Sequence, residues 1–153
     1  DGQNYQESSR FIAGHKTLLV QMDGWRLGMT ICYDLRFPYL YRQLAAAGAD
    51  LITIPAAFTK VTGTAHWHSL MRARAIENGV FIVSPAQCGT HTAGRQTYGH
   101  ALVVDPWGTV LSDAGADPAL TLTSINLDAV EKARTAIPSL TSGCEDEIEL
   151  ELI

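Results

Sequence analysis

The sequence has few cysteines, no long apolar run and no excess of basic charge. Its 3 cysteines, Cys32, Cys88 and Cys144, are odd in number and widely spaced, which argues against a disulfide framework and predicts a reducing, cytoplasmic compartment. The longest apolar stretches have the length of a strand, so we expect no association with a membrane. The net charge is −5 and the 11 lysines and arginines are scattered, so nucleic acid is not an expected partner.

The length and composition are those of an ordinary globular protein. A chain of 153 residues, 46% hydrophobic and 18% charged, fits one domain with a sizeable core. The chain starts at Asp1 without an initiating methionine or a signal peptide, which predicts that it was cut from something longer. At the other end, residues 144–153 alternate acidic and apolar side chains. We expect a solvated end there; the alternative is an edge strand or arm that docks on a partner.

Apolar periodicity predicts an α/β fold in which strands and helices alternate. Short apolar runs predict strands at 17–22, 26–31, 51–54, 80–84, 98–104, 109–112 and 119–126. Apolar residues at helical spacing, together with proline and glycine boundary signals, predict helices at 38–47, 65–78 and 127–136. Residues 1–16 and 85–96 read as loops. This order predicts a mixed sheet with helices on one side.

Cys32 follows a predicted buried strand and precedes a predicted helix by a few residues. Ligands of an open α/β sheet bind at the carboxyl ends of its strands, and a thiolate there is stabilised by nearby backbone N–H groups. A tight exit from the strand would point the N–H of Tyr33 towards a substrate carbonyl, which makes half of an oxyanion hole. The alternative is that Cys32 is a small buried apolar residue, as most free cysteines are.

Several stretches of the sequence resemble the nitrilase superfamily, the carbon–nitrogen hydrolases that include amidases, nitrilases and carbamoylases. The segment ICYDLRFP at residues 31–38 resembles the nucleophile motif of that family. Five further stretches are similar to the family in the same order: PAAFTKVTGTAHW, RARAIEN, PAQCGTH, YGHALVVDPWG and IPSL. We therefore interpret residues 1–140 as the C-terminal portion of a carbon–nitrogen hydrolase domain and residues 141–153 as an atypical acidic tail.

The resemblance implies a cysteine nucleophile within a Glu–Lys–Cys catalytic set that uses no cofactor. Cys32 matches the nucleophile and Glu7 matches the family's second glutamate, whereas the first glutamate and the lysine would precede residue 1. An amide is a poor electrophile, so the thiolate needs a base to form and an acid to expel the amine. Cys32 with Glu7 alone is therefore expected to be nearly inert towards amides.

The resemblance also implies half of a four-layer αββα sandwich, with helices on the outer face of a mixed sheet. In the family, the apolar inner face packs on a second sheet that comes largely from the N-terminal half. A large exposed apolar face is rare in soluble monomers. We therefore expect a companion N-terminal chain or a homo-oligomer, and family members are similar in forming dimers through helices near the site.

The downstream motifs are most similar to the amidases that hydrolyse deaminated glutathione, an ω-amidase-like branch. The resemblance implies that Arg36 binds a substrate carboxylate, for which a guanidinium is geometrically suited, and that Phe58 and Thr62 line the pocket. Each residue has a structural alternative. Arg36 would form an ion pair with Asp34 or Glu77, Phe58 would be a core residue, and Thr62 would cap a helix.

The histidines do not predict a metal site. His66 and His68 lie two positions apart on a predicted helix, which places them on different faces. Together with Cys88, His91 and His100 they show no spacing typical of metal ligands. We therefore expect no metal.

Two classes of function follow. The first is hydrolysis of a small ω-amide, such as deaminated glutathione, through a thioester at Cys32. The second is a non-catalytic subunit that keeps the nitrilase fold for binding, and an inactive truncated fragment is a further alternative. The absence of the first glutamate and the lysine from residues 1–153 favours the second class if this is the natural length.

Overall fold

A computed structural model describes residue 12 and residues 14–142 of the chain. Its strands are β1 (Leu18–Met22), β2 (Trp25–Met29), β3 (Leu51–Thr53), β4 (Phe81–Ser84), β5 (Cys88–Thr90), β6 (Gln96–Tyr98), β7 (Leu102–Val104) and β8 (Val110–Asp113). Its helices are α1 (Pro38–Ala46), α2 (Lys60–Asn78) and α3 (Asp128–Ala136), with 3-10 turns at Cys32–Arg36 and Thr92–Gly94. Glu7 and residues 143–153 of the tail lie outside the described residues. None of these helices has the length and apolarity needed to cross a membrane.

Six strands form one mixed sheet in the order β1-β2-β3-β4-β7-β8, and β5 pairs with β6 in a separate ribbon. Strands β2, β3 and β4 run parallel, whereas the other pairs are antiparallel. The chain crosses from β2 to β3 through α1 and from β3 to β4 through α2, as parallel neighbours require. The carboxyl ends of β2, β3 and β4 therefore meet at one edge. The predicted α/β class, a mixed sheet with helices, is confirmed. The expectation of helices on one side is met by α1 and α2 but not by α3, whose Val130 packs with Leu51 and Phe81 on the opposite face.

Helices α1 and α2 cover one face of the sheet, and the main core lies between them and the strands. Ile52 of β3 and Ile82 of β4 are fully buried in this core, together with Trp67 and Met71 of α2. Gly28 of β2 faces the same core, where an added Cβ would lie 3.1 Å from the Ile52 side chain. The absence of a side chain at this position lets the helix layer approach the sheet closely.

The opposite face of the sheet is also apolar, and the described residues cover it only in part. Leu27, Leu51 and Phe81 lie side by side on β2, β3 and β4, and Val130 of α3 packs in the same cluster. The rest of this face, which we call the open face, is formed by β1 and the end of β2. Its side chains are exposed to 59%, 38%, 41% and 46%, respectively, at Leu18, Val20, Met22 and Met29.

Helix α2 begins five residues before the predicted start at residue 65. The hydroxyl of Thr59 accepts a hydrogen bond from the Thr62 N–H at 3.3 Å, so Thr59 is the residue that caps the helix. The prediction that Thr62 caps the helix is wrong, because Thr62 lies inside the first turn. Gly63 lies inside the helix although glycine is a poor helix former. Tyr98 packs against its backbone, and a Cβ added at this position would overlap the Tyr98 Cβ and Cγ.

The predicted strand 98–104 is interrupted, and the predicted loop 85–96 contains β5 and the first residue of β6. Gly99 and His100 adopt positive φ values of 75° and 56°. A residue in the left-handed region cannot continue an extended ladder, so β6 and β7 separate at this point and join different sheets. The strand at 98–104 was predicted from its apolar residues, and apolar content does not reveal where the backbone leaves the extended conformation.

The predicted strand at 119–126 is absent. Leu120 and Leu122 are instead 89% and 92% exposed, and no strand is assigned between β8 and α3. Alternating apolar residues form a strand only where a neighbouring backbone and an apolar surface are available. Within the part of the chain that the structure describes, nothing pairs with β8 on the side away from β7.

Gly63→Ala is expected to lower the free energy of unfolding by about 1–3 kcal/mol, because the added methyl overlaps the base of the Tyr98 side chain. Urea unfolding followed by tryptophan fluorescence measures the difference. Gly14→Ala is the matched control, since nothing lies within 4 Å of a Cβ added there. Equal stability of the two variants would contradict the close contact between α2 and β6.

Candidate active site

Cys32 lies where the chain leaves β2 at the carboxyl edge of the parallel strands. Beyond β2, the Thr30 N–H donates to the Thr53 carbonyl at 3.1 Å, and the Cys32 N–H donates to the Pro55 carbonyl at 2.8 Å. The chain therefore continues beside β3 for a short distance before it turns. Cys32 itself has φ +43°, a conformation that L-residues adopt only where the surrounding structure imposes it, and such residues cluster at functional sites.

A buried pair of hydroxyls supports this exit from the strand. The Thr30 hydroxyl donates to the Thr53 carbonyl at 2.9 Å and also lies 2.9 Å from the Tyr41 hydroxyl of α1. Burial raises the pKa of Tyr41 well above its ordinary value, with the Thr30 hydrogen bond opposing the rise. The phenol therefore stays neutral, and α1 is tied to the backbone just before Cys32.

Residues Cys32–Arg36 form a 3-10 turn, here called the Cys32 turn, that is fixed at both ends. At its start, the Asp34 carboxylate accepts the Ile31 N–H at 2.8 Å, and the Asp34 N–H returns a bond to the Ile31 carbonyl at 2.9 Å. Nearer its end, the buried Arg74 guanidinium of α2 donates two hydrogen bonds, at 3.0 and 2.8 Å, to the Leu35 carbonyl. The geometry of the turn is therefore set by α2 as well as by its own sequence.

The thiol and the N–H that follows it are both placed for chemistry. Cys32 is partly exposed at the margin of the main core, which meets the requirement of access for a nucleophile. Tyr33 is the second residue of the Cys32 turn, and the first N–H groups of a helical turn have no carbonyl acceptor inside it. In residues 14–142 the Tyr33 N–H makes no backbone hydrogen bond to another segment. This N–H is thus available as the predicted oxyanion donor.

Arg36, at the end of the Cys32 turn, is held by aromatic rings instead of an acid. Its guanidinium carbon lies 5.6 Å from the centre of the Tyr33 ring and 5.2 Å from that of Phe58, and its Nη1 lies 3.4 Å from Nδ1 of His66. Within the described residues Arg36 forms no ion pair, and Glu77 pairs with Arg74 at 2.8 Å instead. The alternative that Arg36 is neutralised by Asp34 or Glu77 is therefore wrong for this structure, and its charge is available to an anion.

Phe58 contacts this arginine, and Thr62 lies on the same face of α2 as His66, which also contacts it. Phe58 is 7% exposed and packs on Trp67 with ring centres 4.8 Å apart, so it is a core residue whose other contact is the Arg36 guanidinium. The Thr62 hydroxyl contacts the Thr59 hydroxyl at 2.9 Å. Thr62 precedes His66 by one turn of α2 and shares its face, on the side that approaches Arg36.

Two shallow depressions in the described surface lie away from Cys32. One, of about 450 Å³, is lined by Asp50, Glu131 and Arg134. Asp50 precedes β3, so this depression lies at the amino end of the parallel strands, opposite the Cys32 edge. The other is lined by Trp107, Lys132 and residues around them. Neither encloses the thiol, and Glu7, the carboxylate predicted beside Cys32, lies outside the described residues.

A cluster that the sequence did not indicate lies between α2 and the end of β8. His68 Nε2 is 3.1 Å from an oxygen of Asp113, and His100 Nδ1 is 2.9 Å from the other oxygen. Partial burial acts to raise the pKa of Asp113, but hydrogen bonds from the Gly115 N–H and from the two histidines outweigh it and hold the pKa below its usual value. The three residues come from α2, the β6–β7 connection and β8, so no spacing along the chain could have identified them.

Comparison with known proteins gives the family. The model of the family described as carbon–nitrogen hydrolase matches residues 1–135. A deaminated glutathione amidase from Synechocystis sp. is 49% identical over 142 residues, covering 92% of this chain and 52% of that protein. The chain therefore spans about half the length of this relative.

Solved structures show the same relationship. The CN-hydrolase superfamily protein XC1258 from Xanthomonas campestris, described with an arsenic adduct in its active site, superposes with a TM-score of 0.82 at 30% identity, covering 95% of this chain and 56% of that one. An amidase from Nesterenkonia sp. AN1, described with acrylamide added to its active-site cysteine, gives 0.72 at 30% identity, with coverage of 86% and 52%. Since the family model matches most of its length, the chain belongs to the carbon–nitrogen hydrolase family.

Proposed function

We propose that the protein hydrolyses a small ω-amide of the deaminated glutathione type through a thioester at Cys32. One observation supports this most directly. A partly exposed thiol, in a left-handed conformation at a strand end, is followed by the Tyr33 N–H and, four residues later, by Arg36. Among residues 14–142 this N–H has no backbone acceptor in another segment and the arginine has no acidic partner. Those three groups are what a nucleophile, an oxyanion and an anionic substrate need.

The reaction begins with attack of the Cys32 thiolate on the amide carbonyl carbon. A C–S bond forms, the carbonyl π electrons move to oxygen, and the Tyr33 N–H donates to that oxyanion. Collapse breaks the C–N bond, and ammonia leaves with a proton from a general acid. Water then adds to the thioester, giving a carboxylic acid and the free thiol. By resemblance, glutamates including Glu7 move the protons, and a lysine gives the second oxyanion contact.

Substrate selection is assigned to Arg36, with Phe58 and Thr62 lining the pocket. A guanidinium resting on aromatic rings keeps its outward N–H groups free for a carboxylate. A further polar side chain is nearby, because Nδ1 of His66 lies 3.4 Å from Nη1 of the arginine. An amide whose far end is a carboxylate fits these groups, and the relative named a deaminated glutathione amidase supports this class of substrate.

Completion of the site is assigned to a companion N-terminal segment of the hydrolase fold, supplied by a longer chain, a separate chain or an oligomer. The open face, with Leu18, Val20, Met22 and Met29 exposed, is the apolar surface that a second sheet would cover. The same segment would bring the first glutamate and the lysine. We assign the active enzyme to the cytoplasm, because its free cysteines suit a reducing compartment.

The rival function is a non-catalytic subunit that keeps the fold for binding. The observation that favours it is the open face, an apolar surface of the kind that protein partners cover. The two functions differ in what happens when the missing half is supplied. An enzyme gains amide hydrolysis that depends on Cys32, whereas a binding subunit does not.

Co-expression of the chain with the N-terminal half of the Synechocystis amidase is expected to produce ammonia release from an ω-amide. Cys32→Ser should then lower the rate by about 10⁴-fold or more, because a serine hydroxyl in a thiol site lacks the ionised nucleophile. Cys88→Ser, which changes a second thiol, is the matched control and should retain the rate. Equal loss in both variants, or none in either, would contradict Cys32 as nucleophile.

Arg36→Met is expected to lower kcat/KM for an ω-amide carrying a carboxylate by about 10- to 100-fold, the usual value of a hydrogen bond to a charged group. The effect should lie mainly in KM, and a neutral amide of the same length should be almost unaffected. Lys60→Gln removes an exposed charge from the same region and is the control. A similar loss for the neutral amide would show that Arg36 acts through the fold and not through the substrate's charge.

A further inference from the structure

Three potential metal ligands converge between α2, the β6–β7 connection and the end of β8, outside the proposed catalytic site. His68, His100 and Asp113, here called the His–Asp cluster, each direct one ligand atom into the same space, and these atoms lie within 4.8 Å of one another. His68 approaches one carboxylate oxygen at 3.1 Å, and His100 lies 2.9 and 3.1 Å from the two oxygens. Ligand atoms around a tetrahedral zinc ion lie roughly 3.3 Å apart, given Zn–N and Zn–O bonds of about 2.0–2.2 Å.

The position of His100 is imposed by the fold. Its backbone, with φ +56°, makes two hydrogen bonds: the N–H donates to the Gly115 carbonyl at 2.7 Å, and the carbonyl accepts from Nε1 of the buried Trp67 side chain at 2.7 Å. A left-handed histidine interrupts what would otherwise be a continuous strand. The result of that interruption is that the imidazole faces Asp113.

The ligand groups also have the outer contacts that orient metal ligands. Nδ1 of His68, the nitrogen away from Asp113, faces the Tyr98 hydroxyl at 3.4 Å, and the Gly115 N–H donates to Asp113 at 2.9 Å. Tyr98 in turn stacks on the His100 ring with centres 4.3 Å apart. Contacts of this kind fix ring orientation in metal sites. The three side chains are 24–35% exposed, so an ion and a water molecule can reach them.

We propose that His68, His100 and Asp113 bind a divalent transition-metal ion of the zinc class. Two imidazoles and one carboxylate suit zinc and its neighbours better than calcium or magnesium, which prefer oxygen ligands alone. The expectation of no metal was based on spacing along the chain, and His68 and Asp113 are 45 positions apart.

The ion would stabilise the fold and would take no part in the proposed hydrolysis. β8 is parallel to β4, so Asp113 lies at the same sheet edge as Cys32, but four strand spacings of about 4.8 Å place it roughly 19 Å away. The ligands join α2, the β6–β7 connection and the end of β8, a strand that pairs only with β7 among the described strands. An ion that binds the folded form alone would stabilise this side of the sheet.

Cobalt(II) titration of the full chain, followed by the visible absorption of the ion, tests the site without any activity assay. We expect one ion per chain, displacement by zinc, and a rise in the thermal unfolding midpoint when zinc is added. Asp113→Asn and His100→Asn should weaken binding more than about 10-fold, since loss of even an outer contact has that effect. Asparagine is chosen at position 100 because it tolerates the left-handed conformation.

His66→Gln is the matched control, two positions from His68 on the same helix, and it should leave binding unchanged. Absence of a cobalt signal from the unaltered chain would overturn the proposal whether or not the variants fold. A sulfur-to-cobalt band that disappears in Cys32→Ala or Cys88→Ala would overturn it as well, by placing the ion at a thiol. Zinc-induced shifts of the His68 and His100 imidazole nitrogens in NMR spectra give an independent confirmation.

Discussion

The Cys32 turn depends on one buried cation, the guanidinium of Arg74. It is 5% exposed, donates two hydrogen bonds to the Leu35 carbonyl, pairs with Glu77 and lies over the Tyr41 ring at 5.4 Å. Burying a charge costs several kcal/mol unless it is paired and hydrogen-bonded, so the buried position of Arg74 depends on all of these contacts. Because Leu35 lies within the turn that begins at Cys32, α2 holds this turn against the end of β2.

This arrangement places the reactive groups at one sheet edge and leaves the opposite face of the sheet apolar. Strand β2 leads to Cys32 at this edge of the sheet. Its last residue, Met29, lies on the open face together with side chains of β1. A site of this kind is open, because the thiol, the Tyr33 N–H and Arg36 all come from one short turn and nothing in the described residues encloses them.

The sequence predicted the local structure where one pattern decides it. Strands β1 and β2, the start of α1 at Pro38 and strands β3 and β4 all follow from proline, glycine and apolar runs. Contacts between distant residues could not be predicted. The Arg74–Leu35 bonds and the meeting of His68 with Asp113 depend on how α2 packs. Leu120 and Leu122 form no strand, and the described part of the chain offers them no neighbouring strand.

The most direct measurement is acylation of the isolated chain by an aryl ester of a short dicarboxylic acid. An aryl oxide leaves without a proton, so attack needs the thiolate and the Tyr33 N–H but no general acid. Peptide mass spectrometry should find one acyl group, released by hydroxylamine, on the peptide that contains Cys32. An acyl group on Cys88 or Cys144 at equal or higher yield, or none on any cysteine, would contradict the nucleophile role of Cys32.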